Sequence, residues 1–220
     1  MIYLDYAASS PPFPQAMEEM RIVALTQFGN PGAIHQQGAE ARGVLQKSRI
    51  LLAKVTNVRP EEIFFTSGGT EADNWAIMGT VKRLGKRGKH IVTTAMEHHA
   101  VLNTMKELEA QGFAVTYLQP DSMGRITADQ LKAVLRPDTI LVSVMMVNNE
   151  VGSVMPIGQM AKLTHKLCPN ALFHTDAVQG FLKIPFDAKS LGADLISVSA
   201  HKVHGPKGCG ALYISPKLKS

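Results

Sequence analysis

Cysteine is scarce in this chain of 220 residues. The two present, Cys168 and Cys209, are too few for a disulfide framework, which predicts a protein of a reducing, cytoplasmic compartment. Long apolar runs are missing as well. The longest candidate, from Thr139 to Val147, falls well short of the ~18 consecutive apolar residues of a membrane helix, so no bilayer span is expected. Met1 leads almost directly into Tyr3-Leu4-Asp5-Tyr6, without the basic and apolar regions of a secretory leader. Internal repeats, low-complexity tracts and Pro/Gly/Ser linkers are absent, which excludes collagen, coiled-coil and disordered classes.

What remains is an ordinary globular composition, 45% hydrophobic and 19% charged. A chain of this length can bury about 70% of its unfolded surface and needs no metal or disulfide to fold. The net charge of +5 permits a polyanionic partner. The basic residues are scattered, however, apart from Lys82, Arg83, Lys86, Arg87 and Lys89 at the end of a predicted helix. There they complement the negative pole of the helix dipole, so a solvated turn is the expected reading and no direct nucleic-acid contact is predicted.

Apolar β-branched runs alternate with segments of helical period, the pattern of an α/β protein with a mostly parallel sheet and helices on both faces. Seven strands are predicted: 63–66, 90–94, 114–118, 140–146, 172–176, 195–199 and 211–214. Helices are expected over 14–26, 37–55, 70–84, 100–111, 127–135 and 157–167. The last two strands have no room for a crossover helix between them, so they should pair antiparallel.

In such a sheet ligands bind beyond the carboxyl ends of the strands, and five strand ends carry unusual polar groups. Ser67-Gly68-Gly69-Thr70-Glu71 opens a helix, either as a plain tight turn or as an anion site of free N–H groups at a positive dipole end. Glu97-His98-His99 lacks the spacing of a metal site but could offer a ring to a planar ligand. Asn148-Asn149 could be an Asx turn or a pair of carboxamide donors. Asp176 ends an apolar strand, where a carboxylate needs a cation that the nearby sequence does not supply. Lys202, in Ser199-Ala200-His201-Lys202, sits where desolvation lowers an ammonium pKa and makes an amine nucleophile. A phosphate cradle, a ring stacker, an amide donor, an acid for a ring nitrogen and a Schiff-base lysine together describe pyridoxal 5′-phosphate.

These motifs, with Tyr3-Leu4-Asp5-Tyr6-Ala7-Ala8, Phe28-Gly29-Asn30-Pro31, Phe65-Thr66-Ser67-Gly68-Gly69-Thr70-Glu71-Ala72-Asp73-Asn74, Val147-Asn148-Asn149-Glu150-Val151-Gly152 and Asp176-Ala177-Val178-Gln179, resemble the cysteine desulfurases. Those are class V aminotransferase-type enzymes with the fold type I large domain. The resemblance covers nearly the whole chain. It implies that Gly69, Thr70, Ser199 and His201 hold the phosphate and that His98 stacks on the ring. Asn149 would approach the phenolic oxygen, Asp176 pair with the ring nitrogen, Gln179 flank the ring and Lys202 form the Schiff base. Lys202, His98 and Asp176 are the expected catalytic residues; no metal is expected.

By the same resemblance the substrate is L-cysteine, converted to L-alanine with persulfide sulfur left for iron–sulfur cluster assembly or tRNA thiolation. The expected partners are a second copy in a homodimer and a sulfur-acceptor or iron–sulfur scaffold protein. Selenocysteine lyase, another class V enzyme, and a silent cofactor-binding remnant are the alternatives. Family members often have Gly where this chain has Ala200, a small residue the turn should tolerate. They are also nearly twice as long, with the catalytic cysteine and a small C-terminal domain beyond position 220. Residues 1–13 are therefore expected to be a segment that would join the small domain, and residues 14–220 the cofactor-binding large domain. Cys168, at a helix end, and Cys209, expected in an apolar slot entering the last strand, are not expected to replace that cysteine.

Overall fold

The computed structural model describes residues 2–185 and 187–218. Seven strands, β1 (Ile63–Thr66), β2 (His90–Thr94), β3 (Ala114–Leu118), β4 (Thr139–Ser143), β5 (Leu172–Asp176), β6 (Leu195–Ser199) and β7 (Gly210–Ile214), form one sheet. Its order is β1-β7-β6-β5-β4-β2-β3. The pairs β2·β3, β2·β4, β4·β5 and β5·β6 are parallel, and β7 runs antiparallel to both β6 and β1. Two reversals bring β1 back into line with β6, so the carboxyl ends of β1, β2, β4, β5 and β6 share one edge.

Strands β2, β4 and β6 are buried at every residue, which is why they read as unbroken apolar or hydroxylated runs. Alternate residues serve opposite faces. Ile91 and Leu141 pack with Ile77, Val101, Met105 and Leu108 of α3 (Gly69–Leu84) and α4 (His99–Ala110). Val92, Val142, Phe173 and Ile196 pack on the other side with Ala53, Leu131, Met160 and Ala188, from α2 (Gln36–Thr56), α5 (Ala128–Val134), α6 (Ile157–Leu167) and α7 (Ala188–Leu191). Local chemistry sets several ends. Thr127 and Gln130 close a capping box on α5, and Asn57 ends α2 in the left-handed conformation. The first helix, α1 (Pro14–Thr26), buries no residue.

Two expectations are corrected. The fourth strand ends at Ser143 rather than Met146. The apolar run continues buried, with Val144 and Met146 donating to carbonyls of His174 and Asp176, but without a second ladder. Cys209 is exposed rather than slotted into apolar surroundings, whereas Cys168 is buried with its thiol donating to the Arg136 carbonyl.

Candidate functional site

At the shared strand edge lies an open cleft with a cavity volume of about 170 Å³. Gly69, Thr70, His98, Asn149, Asp176, Gln179, Ser199, His201 and Lys202 all line it. They come from the ends of five strands, β1, β2, β4, β5 and β6, and the common direction of those strands is what gathers residues up to 133 positions apart.

The Gly69 end is a helix N-terminus. The first bond internal to α3 runs from Ala72 N–H to the Gly68 carbonyl, so the N–H groups of Gly69, Thr70 and Glu71 precede the ladder. Gly69 is required by space, since a Cβ there would lie 2.7 Å from Cγ2 of Val178. Ser199 and His201 come from the end of β6 and the single 3₁₀ turn after it. Burial first, then Lys202, Lys207, Lys183 and His98, lowers the His201 pKa and favours the neutral ring.

Beyond β2, His98 caps α4, its Nδ1 accepting from Ala100 N–H at 3.1 Å. His99 lies alongside with ring centroids 6.2 Å apart. The two carboxamides divide the open readings between them. Asn148 is buried and structural, its Oδ1 accepting from Glu150 and Val151 N–H and its amide donating to the Met96 carbonyl. Asn149 alone of the pair lines the cleft.

Asp176 is buried, with Oδ1 accepting from Val178 N–H at 2.9 Å. Burial, aided by the neighbouring Asp73 carboxyl, raises its pKa to about 7. Lys202 is shifted the other way. Desolvation lowers its pKa and Lys183 adds to this, while Asp176, Glu150 and Asp5 oppose it. Gln179 donates from Nε2 to the Ala7 carbonyl at 2.8 Å and accepts at Oε1 from Lys183 Nζ at 2.8 Å.

The sequence reading missed Ala8, Asp73, Met145, Val147 and Val178, which also line the cleft. Asp73 was findable: it lies three and four residues beyond Thr70 and Gly69, so the helical period sets it on the same face of α3. It is 1% exposed, and its carboxyl pKa is raised by burial to about 7. Oδ1 of Asp73 lies 3.5 Å from Nε2 of His174, a ring held between Ser143 and Ser197. Neither cysteine lines the cleft, and no group of three or more metal-ligating side chains occurs among the described residues.

The family model described as aminotransferase class-V matches residues 2–220. A protein described as putative cysteine desulfurase IscS 1, from Bacillus subtilis strain 168, is 50% identical over 220 residues, spanning 99% of this chain and 57% of that protein. The cysteine desulfurase IscS of Dictyoglomus turgidum is 47% identical, with 99% of this chain and 55% of that protein covered. Among solved structures, a NifS-like protein superposes with a TM-score of 0.95 at 42% identity, over 98% of this chain and 59% of that one. A structure titled SspA in complex with cysteine gives 0.93 at 39% identity, over 97% of this chain and 61% of that one. The chain thus spans somewhat more than half the length of these relatives.

Proposed function

Because the chain belongs to the aminotransferase class-V family, whose cysteine desulfurase members depend on pyridoxal 5′-phosphate, we propose that it provides the cofactor-binding unit of a cysteine desulfurase. The observation that carries this reading is the convergence of Lys202, Asp176 and a helix N-terminus on one cleft. The cleft fits the cofactor. The free N–H groups at Gly69 and Thr70, with the Thr70 and Ser199 hydroxyls and His201, suit a phosphate. The buried Asp176 suits a protonated ring nitrogen, a cation that would relieve its desolvation.

When bound, pyridoxal phosphate supplies a carbonyl that accepts an amine and an electron sink for the bond breaking that follows. Lys202 would provide the amine that holds the cofactor, and its lowered pKa supports service as a base. Lys202 or His98 would move the Cα proton of bound L-cysteine. Asp176 would hold positive charge at the ring nitrogen, His98 would stack on the ring, Asn149 would approach the phenolic oxygen and Gln179 would flank the ring. A cysteine thiolate would take the sulfur, leaving L-alanine; the positions of Cys168 and Cys209 give no support to either as that thiolate. The proposed destination of the sulfur is iron–sulfur cluster assembly or tRNA thiolation, by way of an acceptor or scaffold protein.

Residues 1–13 are read as the segment that would join a smaller domain, and residues 14–220 as the cofactor-binding unit. The partner expected at the unburied α1 is a second copy of the chain. No described helix is long and apolar enough to cross a membrane, and the proposed location is the cytoplasm.

The test is spectroscopic. Purified with pyridoxal phosphate, the folded chain should show the visible absorption band of a lysine-bound cofactor, and Lys202→Ala should remove it. A folded chain with no such band would sink the reading. Addition of L-cysteine should perturb the band, and indifference to it would point to another amino acid.

A further inference from the structure

The turn after β5 contains a cation that the chemistry above does not use. Lys183 is exposed, yet its ammonium is directed at the site through Gln179, donating to Oε1 at 2.8 Å while Nε2 of the same carboxamide donates to the Ala7 carbonyl at 2.8 Å. Both ends of the amide are thereby assigned. An ammonium can only donate, so Oε1 must face Lys183 and the NH₂ group must face Ala7, next to Ala8 at the cleft wall. The backbone holds this arrangement against its own preference. Leu182, the residue before the lysine, has φ of 57°, a left-handed conformation costly for a branched side chain. The turn is also tied down by Phe181 N–H to the Ala177 carbonyl and by Lys183 and Ile184 N–H to the Gly180 carbonyl.

We propose that Lys183 is a positioning residue of this site: it fixes the donor face of Gln179 toward the cleft and keeps a positive charge near Lys202. The inference rests on the reading of Lys202 as the cofactor amine. Four charged groups from different elements act on Lys202: Asp176 from β5, Glu150 from the loop after β4, Asp5 from the N-terminal segment and Lys183 from this turn. Of these only Lys183 favours the neutral amine, beside the effect of burial. His201 responds to the same charge in the same direction. Removing the Lys183 charge therefore takes away the leading cation that opposes these three carboxyls at Lys202, and the Lys202 pKa should rise.

The experiment compares the parent chain, Lys183→Met and Lys183→Arg. In the cofactor-free chain, the pH dependence of Lys202 acetylation by acetic anhydride, followed by peptide mass spectrometry, reports the amine directly. Lys183→Met should move its midpoint up by roughly half a pH unit, the scale of one partly screened charge, and Lys183→Arg should leave it near the parent value. With pyridoxal phosphate bound, the pH midpoint of the visible band should shift in the same direction in Lys183→Met and be restored by arginine. A loss of packing alone would not move a titration that arginine rescues. Parent-like midpoints in Lys183→Met would overturn the proposal. If the parent forms no visible band, the desulfurase reading fails, and the acetylation midpoints still decide whether Lys183 tunes Lys202.

Discussion

Three buried carboxyls sit at or beside the cleft, Asp73, Asp176 and Glu97, with pKa values raised mainly by desolvation to about 7, 7 and 8. An acid with a raised folded pKa gives up its proton more readily when unfolded, so its stabilising contribution is present at low pH and is lost as pH rises through the folded value. His90 and His174, lowered by burial to about 4, act oppositely, and their contribution is lost as pH falls below the ordinary imidazole range. The signs cancel in part in mildly acidic solution. From about pH 6.5 to 8 the unfolded-state histidines finish titrating and the carboxyls outweigh them, so the cofactor-free chain should lose stability on the order of 2 kcal/mol across that window. Urea midpoints would check this, and a midpoint that is flat or rises with pH would refute it. Glu97→Gln should flatten the upper part of the slope, because Oε1 can go on accepting from Met145 N–H and Thr94 Oγ1 while the titrating proton is gone. At this scale the sequence disclosed the residue types that carry chemistry but not their charge states. Asp176 was conspicuous as an acid ending an apolar strand, whereas the coupling of Asp73 to it depends on where α3 crosses β5 and β6.

At the scale of elements, six of the seven strands were legible to within a residue and β4 was not, because its apolar run continues buried past the end of the ladder. β2, β5 and β6 span the predicted residues, and the helix limits differ from prediction by one residue or none. Strand order was less accessible. That β7 inserts between β1 and β6 depends on long-range pairing, and only its antiparallel union with β6 followed from the short connection. The four-residue α7 was not foreseen, because one turn of helix held by Asp187 has too short a pattern to declare itself. Gly69 shows how element packing creates a site requirement. The first turn of α3 comes so close to Val178 that an added Cβ would sit 2.7 Å from a methyl group. Gly69→Ala should therefore destabilise the chain by about 1–3 kcal/mol, the usual range for overpacking, and should weaken pyridoxal phosphate binding as the N–H groups are displaced. Adding Val178→Ala removes the obstructing methyl and should recover most of both losses. Thermal melts and absorbance titrations would check this, and a second substitution that restores nothing would refute the steric account.

Over the whole molecule, apolar surface is unevenly distributed. The sheet is covered on both faces, yet α1 buries nothing and exposes Met17, Met20 and Leu25, while α2 exposes Ile50, Leu51 and Val55 beside the buried Ala53 and Thr56. Ile2, Tyr3, Leu4 and Tyr6 of the N-terminal segment are exposed as well. Exposed apolar side chains concentrated on one helix are a common mark of a surface that is covered in use. The periodicity of α1 gave no hint of this, because a helix that docks between subunits is written with the same apolar spacing as one that docks on its own core. If a second copy is the cover, the chain should be dimeric by light scattering. Met17→Lys with Met20→Lys, one helical turn apart, should give a monomer with an unchanged circular-dichroism spectrum, since neither side chain is buried within the single chain. A parent chain that is monomeric at concentrations where such interfaces normally form would remove the second copy as the occupant. A double variant that stays dimeric would move the contact to α2 and the N-terminal segment, where Leu51→Lys with Val55→Lys is the corresponding disruption.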